Sequence, residues 1–255
     1  MPWDNAVDDP EYRSLLASVR ANAARPGRAL YLPIRAVTEI VATAVLLVVS
    51  APVVLLAAVL VRLTSRGPAF FVQTRVGRDG HAFRIYKIRS MYQDCEKWSG
   101  PCWASKRDAR ITPLGQVLRA THIDELPQLI NVLKGEMSLI GPRPERPEFL
   151  PKLARAIPRY RERLNVRPGV TGFAQIQLPA DTDLDGVRRK LKYDLYYMDA
   201  VSPWLDFCIV LCTVLRMVGI PFQVLRRPFG LPTAQEVEES FRVSRPRPLP
   251  QPQPA

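Results

Sequence analysis

The longest apolar stretch of this chain decides its architecture. From Ile40 to Val61 only Thr43, Ser50 and Pro52 interrupt a run of Ala, Val, Leu and Ile, and no charge falls within its 22 positions. As a helix rising about 1.5 Å per residue the run reaches roughly 33 Å, enough to cross the hydrocarbon of a bilayer. It starts too late and runs too long for a signal peptide. A buried core helix is the competing reading, but such helices usually keep one polar face. Pro52 removes a helical hydrogen bond near the middle and favours a kink, while the Ser50 hydroxyl can meet the freed carbonyls. Arg20, Arg25, Arg28 and Arg35 precede the run and Arg62, Arg66, Arg75 and Arg78 follow it, so basic flanks assign no inside or outside. The pattern predicts a helix that enters one leaflet, bends at Ala51-Pro52 and returns to the same face.

Beyond the run the periodicity changes. Ala69 to Gln73 is strand-like, Asp79-Gly80 signals a tight turn, and Phe83 to Arg89 alternates, which predicts a β-hairpin. The alternation places Phe83, Ile85, Lys87 and Arg89 on one face. Its two cations suit either a phosphate grip or a solvated strand end. Residues 92–112 read as polar and irregular, with a mobile loop around Trp98-Ser99-Gly100-Pro101. Helices are predicted over Leu114–Ala120 and Leu126–Lys134, the second with Leu126, Leu129, Ile130 and Leu133 at helical spacing, Pro127 in its first turn and Gly135 as its stop. Trp204 to Arg216 is apolar, too short to span comfortably, and reads equally as an interfacial or a packed helix. Cys208 and Cys212 share one of its faces as small apolar residues. From Arg226 the chain turns proline-rich, which predicts a disordered or polyproline-like tail. The expected fold is α+β and mostly helical. It comprises an N-terminal segment (1–35), a kinked re-entrant membrane helix (36–62), a small catalytic domain with the hairpin (63–200), an interfacial amphipathic helix (201–225) and the tail (226–255).

Charge narrows the partners. Lys and Arg number 36 against 24 Asp and Glu, a net +12 over 255 residues. Such a balance implies nucleic acid, a phospholipid surface or a phosphorylated substrate. A nucleic-acid binder leaves the apolar run unexplained and shows no reading motif. Cys95, Cys102, Cys208 and Cys212 form no disulfide framework, and His81 and His122 alone make no His-rich metal site. Reduced thiols fit a cytoplasm-facing protein.

The candidate chemistry centres on Asp124-Glu125, ahead of the helix predicted from Leu126. Adjacent residues in a helical first turn point about 100° apart, so one carboxylate can hold a hard cation such as Mg²⁺ while the other faces or attacks a phosphate. The bland reading is that both complement the helix dipole. Context favours chemistry: Gly141 to Pro147 is a loop stiffened by three prolines that presents Arg143, and Arg167 to Gly172 adds a second arginine turn. Neither GxxxxGK[ST] nor GxGxxG occurs, so phosphate binding here relies on discrete arginines and a metal.

The stretch Asp124-Glu125-Leu126-Pro127-Gln128-Leu129-Ile130-Asn131-Val132-Leu133-Lys134-Gly135-Glu136-Met137-Ser138, continuing into Gly141-Pro142-Arg143-Pro144, resembles the bacterial sugar transferases, the monotopic polyprenyl-phosphate phosphoglycosyl transferases. Gln73 to Gly77, Lys87 to Met91, Arg167 to Gln175 and Asp194 to Tyr197 share in the resemblance, which covers roughly residues 32–222. It implies transfer of a sugar-1-phosphate from a UDP-sugar to polyprenyl (undecaprenyl) phosphate on the cytoplasmic face of the bacterial inner membrane, releasing UMP and initiating glycan or exopolysaccharide assembly. By the resemblance Asp124 is the nucleophile that carries a covalent phosphosugar, Glu125 binds Mg²⁺, Arg119 meets the lipid phosphate and Arg143 the donor phosphates and nucleotide. Lys87, Arg89, Arg75, Arg167, Thr171 and Gln175 complete the substrate-binding candidates. Membrane lipids are expected partners and nucleic acid is not. A second copy of the chain and glycosyltransferases of the same pathway are the protein partners considered. The chain departs from the family at Ala51, where Ser often precedes the membrane proline, and at Phe173, where many members carry Trp. It looks like the minimal catalytic form, lacking the N-terminal multi-helix region of some members. The alternative is a non-catalytic basic membrane scaffold, which gives no reason for Asp124 and Glu125 beside arginine-proline loops.

Overall fold

An uninterrupted supply of apolar residues yields one long helix. In the computed structural model, which describes residues 31–97, 100, 103, 108–179 and 183–244, helix α1 covers Tyr31–Thr64. Its 34 residues give a length of about 51 Å. Little of it is covered by protein: Val41, Val48, Val49 and Leu55 are each at least 60% exposed. That removes the core-helix reading, since an apolar surface of this extent needs a non-aqueous neighbour. Pro52 lies inside the helix without interrupting it, and the Ser50 hydroxyl donates to the Leu47 carbonyl at 3.4 Å.

Both ends of α1 are fastened to the same polar domain. Near its start, Arg35 donates to Ser138 Oγ at 3.0 Å and to the Ile140 carbonyl at 2.8 Å, and pairs with Asp206 at 3.2 Å. Glu39 accepts from the Ser138 hydroxyl. Near its end, Ala57 and Val61 are buried against Ile88 and Leu118. Arg89 then reaches the last turn, donating to the Ser65 carbonyl at 3.0 Å, the Ser65 hydroxyl at 2.8 Å and the Arg66 carbonyl. Cations at a helix C-terminus satisfy its orphan carbonyls and suit its dipole.

The hairpin forms as its alternation and Asp-Gly turn predict. Strands β1 (Phe70–Val76) and β2 (Ala82–Ile88) pair antiparallel with Phe71 opposite Lys87 and Arg75 opposite Phe83. Asp79 and Gly80 both take positive φ at the turn. Phe83 and Ile85 bury against Val132 and Met137. Helix α2 (Pro113–Ala120) starts at Thr112, whose hydroxyl accepts from the Gly115 amide.

The next element departs from expectation. Ile123–Gln128 is a 3-10 segment, and the α-helix α3 covers only Leu129–Leu133 rather than Leu126–Lys134. His122 enters it in the left-handed region at φ 55°, and the Glu125 amide donates to the His122 carbonyl three residues back. Pro127, lacking an amide, donates no bond of the α pattern. Strands β3 (Ser138–Ile140) and β4 (Gly169–Thr171) form a parallel pair whose backbones approach so closely that a Cβ on Gly169 would lie 2.0 Å from the Gly141 amide.

The rest is helical. Helices α4 (Leu150–Ala156), α5 (Phe173–Gln177), α6 (Leu184–Ala200), α7 (Pro203–Met217) and α8 (Phe222–Arg226) surround two cores. One side of α6 packs Leu191, Leu195 and Met198 on Leu150, Leu153 and Tyr160. The other side joins Tyr193 and Tyr197 to Phe173, Ile209 and the fully buried Cys208 and Cys212. Helix α7 thus packs on one face, while Trp204, Phe207, Val210 and Val214 stay exposed on the other.

One expectation is corrected: the disordered tail does not begin at residue 226. Helix α9 (Ala234–Val243) opens on a reciprocal capping box between Thr233 and Glu236, buries Val237 to 1% exposure and pairs Glu238 with Lys192 on α6. A capped amphipathic stretch outweighs a proline-rich average. The proline run 245–255 lies outside the described residues, as do Arg20, Arg25, Arg28, Trp98, Ser99, Pro101 and Cys102.

Candidate active site

The 3-10 segment places Asp124 and Glu125 at about 120° to one another, and both are buried. They meet different surroundings. Glu125 is clamped: Lys87 Nζ reaches Oε1 at 2.8 Å, and Arg143 reaches Oε1 at 2.5 Å and Oε2 at 3.3 Å. Lys87 arrives from the end of β2 and Arg143 from the proline loop after β3. Asp124 makes no hydrogen bond or ion pair among the described residues, although Lys87, Arg119 and Arg143 all act on it through space.

The electrostatics separate the pair. Burial pushes the Asp124 carboxyl up, Glu125 adds to the shift, and the cations offset only part, leaving it at about 6. Burial also acts on Glu125, but the Arg143 guanidinium and the Lys87 ammonium outweigh it and hold that carboxyl well below its usual range. Two adjacent acids thereby acquire different characters: one a fixed anion, the other an uncommitted carboxyl that ionises near neutrality. Burial lowers the Lys87 ammonium, with Glu125 opposing, and lowers Arg75 to about 10.

Other predicted residues lie at varied places. Arg119 ends α2 with Nη1 buried and unpartnered. Arg75 sits behind the proline loop, donating to the Pro144 carbonyl at 3.1 Å and to Gln73 at 2.7 Å. Arg89 is not brought to the carboxylates: two residues beyond Lys87, it serves the end of α1 instead. Arg167 is exposed and lines an open recess with Gly77, Arg78, His81 and Lys134 at the hairpin tip. Thr171 shares a hydrogen bond with Thr213 on α7 at 2.7 Å. Gln175 gives its carbonyl to Arg216 and leaves Nε2 buried without a partner. Sequence reasoning passed over His122, which lies within the field of Glu125, Arg143, Arg216 and Lys87 and whose imidazole is lowered mainly by burial. Its place two residues before Asp124 was the available signal. Among the described residues no cluster of three or more His, Cys, Asp or Glu is assembled.

A family model described as "Bacterial sugar transferase" matches residues 30–219, which take in every element from α1 to α7. The chain belongs to that family. A protein of Aeromonas hydrophila, named UDP-N-acetylgalactosamine-undecaprenyl-phosphate N-acetylgalactosaminephosphotransferase, is 45% identical over 185 residues, 72% of this chain and 44% of the relative. A UDP-glucose:undecaprenyl-phosphate glucose-1-phosphate transferase of Caulobacter vibrioides is 44% identical over 182 residues, 70% of this chain and 67% of the relative. The exopolysaccharide production protein PSS of Rhizobium leguminosarum bv. phaseoli is 42% identical over 173 residues, 66% of this chain and 86% of the relative. The chain therefore spans less than half of the Aeromonas relative and most of the Rhizobium one. The shared region contains Asp124, Glu125, Lys87, Arg119 and Arg143.

Proposed function

We propose that this chain transfers a sugar-1-phosphate from a UDP-sugar to polyprenyl phosphate, releasing UMP, through a covalent phosphosugar on Asp124. One observation carries the reading: within a buried pair, Glu125 is paired with two cations while the Asp124 carboxylate is left without a partner among the described residues. A carboxylate oxygen of Asp124 attacks the phosphorus that bears the sugar, and the bond from that phosphorus to the UMP oxygen breaks. An oxygen of the polyprenyl phosphate then attacks the same phosphorus and frees the carboxylate, so no net proton is consumed. Two half-reactions let one site serve a soluble donor and a lipid acceptor in turn. Arg143, 44% exposed at its side chain, is free on one side to meet donor phosphate oxygens, and Arg119 offers an unpartnered Nη1 beside Asp124.

Phosphoryl-transfer sites commonly hold Mg²⁺ through one carboxylate with substrate phosphates completing the shell, and Glu125 is the carboxylate beside the proposed nucleophile. Glu125 would hold it, and the ion would neutralise charge on the transferring phosphoryl oxygens. In its absence Lys87 and Arg143 balance that carboxylate.

The membrane reading rests on two surfaces. The exposed apolar length of α1 belongs in lipid, and the Trp204, Phe207, Val210 and Val214 face of α7 lies in the interface. The ties from Arg35 and Arg89, which hold opposite ends of α1 to one domain, support a helix that re-enters rather than spans; in this reading it bends at Pro52 within one leaflet of the bacterial inner membrane, with the domain on the cytoplasmic side. The test is Mg²⁺-dependent UMP release from a panel of UDP-sugars, with undecaprenyl phosphate, by the full chain in nanodiscs. Activity that survives Asp124→Asn, or that needs no lipid phosphate, refutes the reading.

A further inference from the structure

The loop Gly141–Pro147 that carries Arg143 has little regular structure, and its prolines leave it few donors of its own. Besides backbone bonds to β1 and β4, its backbone is held by arginine side chains arriving from elsewhere. Arg163 Nη2 donates to the carbonyl of Arg143 itself at 2.9 Å, and Arg75 Nη1 donates to the next carbonyl, that of Pro144, at 3.1 Å. Arg163 is 9% exposed and is itself held: Nη1 donates to the Tyr160 hydroxyl at 2.7 Å, and Nη2 forms an ion pair with Asp194 on α6 at 2.9 Å. The Tyr160 hydroxyl in turn donates to Glu145 at 3.2 Å, while the Glu145 carbonyl accepts from the Val76 amide at 2.9 Å. Tyr160 and Asp194 are 1% and 3% exposed. Buried polar groups thus close on the loop at Arg143 and the two residues that follow it.

A buried ion pair of this kind seldom stabilises a fold more than apolar packing of the same volume. What it supplies is direction. The planar guanidinium has its acceptors at fixed angles, so it fixes the loop carbonyl in place as a flexible ammonium does not. Arg163 donates to the loop backbone and to neither carboxylate of the Asp124-Glu125 pair, so any influence on the reaction passes through Arg143.

We infer that Arg163, braced by Asp194 and Tyr160, is a positioning residue that aims the Arg143 guanidinium at the diphosphate of the nucleotide donor. The inference rests on the proposed reaction, and it makes donor capture, rather than lipid capture, the step that this buried network controls.

A double-mutant cycle tests it, using the full chain in nanodiscs, the best-used of UDP-glucose, UDP-galactose, UDP-N-acetylglucosamine and UDP-N-acetylgalactosamine, and calorimetric binding of UDP. Arg163→Met is expected to raise the donor KM and the UDP dissociation constant about tenfold, the scale of one charged hydrogen bond, with the polyprenyl phosphate KM changed less than about twofold. Arg163→Lys is expected to restore only part of the loss. In an Arg143→Ala background the same Arg163→Met change is expected to move either constant by less than about twofold, since its target is already gone. Should Arg163→Met fail to fold, Asp194→Asn takes its place in the cycle, with an expected rise of about threefold that disappears without Arg143. An equal effect with and without the Arg143 guanidinium, or a fall in kcat with both KM values unchanged, overturns the inference and leaves the proposed reaction standing. A wild-type chain that neither binds UDP nor releases UMP overturns both.

Discussion

Replacing Asp124 by Asn removes a charge that the fold holds at a cost. The carboxyl lies at about 6 against an ordinary value near 3.8, raised by burial and by Glu125. A difference of about two units, at about 1.4 kcal/mol each, corresponds to roughly 3 kcal/mol. The sign follows from proton linkage. Between the two values the folded chain binds a proton that the unfolded chain has lost, so this group's contribution is fully present below pH 3.8 and is lost as pH rises through about 6. Above pH 6 the ionised carboxylate destabilises the wild type by about 3 kcal/mol relative to a neutral isostere.

Asp124→Asn is therefore expected to abolish turnover and adduct formation while raising stability at pH 7 by up to about 3 kcal/mol, with little difference at pH 4. For a chain of this size that is a rise of roughly 5–10 °C in Tm. The measurement is thermal unfolding of both proteins in nanodiscs from pH 4 to 8, with EDTA present so that no cation masks the charge. A gain that is the same at every pH, or an Asn variant less stable than wild type at pH 7, refutes the assignment of Asp124 as an uncompensated buried carboxylate. Stability gained where activity is lost is the signature of a side chain kept for chemistry.

Glu125→Gln acts in the opposite direction, since it leaves Lys87 and Arg143 facing each other without their anion. It is expected to destabilise by about 3–5 kcal/mol at pH 7 by chemical denaturation. That deficit shrinks only in acid well below pH 4.5, where the wild-type carboxylate is itself protonated. Thr233→Ala removes the capping box of α9 and is expected to cost about 1 kcal/mol, seen as faster amide exchange over Ala234–Val243 with UMP release unchanged. Arg35→Gln, which cuts the tie from α1 to Asp206 and Ile140, is expected to expose residues near the start of α1 to a membrane-impermeant thiol reagent added from the periplasmic side of cells. Periplasmic labelling of a cysteine placed at Ala36 with Arg35 intact would count against the re-entrant reading.

Much of the fold was legible because its signals are local. The apolar run of α1 needs only hydropathy, and the hairpin needs only alternation around Asp79-Gly80. The 3-10 form of Ile123–Gln128 was not legible: the apolar spacing from Leu126 is compatible with an α-helix, and the left-handed φ of His122 that starts the segment leaves no mark on a histidine. Helix α9 carried its own Thr-x-x-Glu signature, which the count of prolines around it obscured. In the site, Asp124 and Glu125 stood out as a pair, but their separate roles depend on Lys87 and Arg143, which lie 38 and 18 positions from Glu125. Alternation placed Lys87 and Arg89 on one face without revealing that two residues of strand carry the second cation to the end of α1. The Arg163 network joins four segments by single polar contacts, and contacts of that kind leave no periodic trace.

The packing of α1 connects a long, exposed apolar helix with a buried acid pair in one small domain. Ala57 and Val61 of α1 sit against Ile88, Leu118 and Ile123. Each of the last three is the immediate neighbour of a residue at the site: Lys87, Arg119 and Asp124 respectively. Three elements, the end of β2, the end of α2 and the 3-10 segment, therefore rest on the same stretch of helix and turn the adjacent side chain toward the reaction. In the proposed reaction the acceptor is confined to the bilayer surface, so the height of the carboxylate relative to lipid matters as much as its distance to Mg²⁺ or arginine. In that same proposal the exposed face of α1 is set in lipid while its covered face carries these three elements, which fixes that height. Close packing makes the arrangement stiff, because a shift of α1 by one methylene would be felt at all three neighbours together. In the proposed reaction, membrane depth and the geometry at Asp124 are then properties of one interface, formed by Ala57, Val61, Ile88, Leu118 and Ile123.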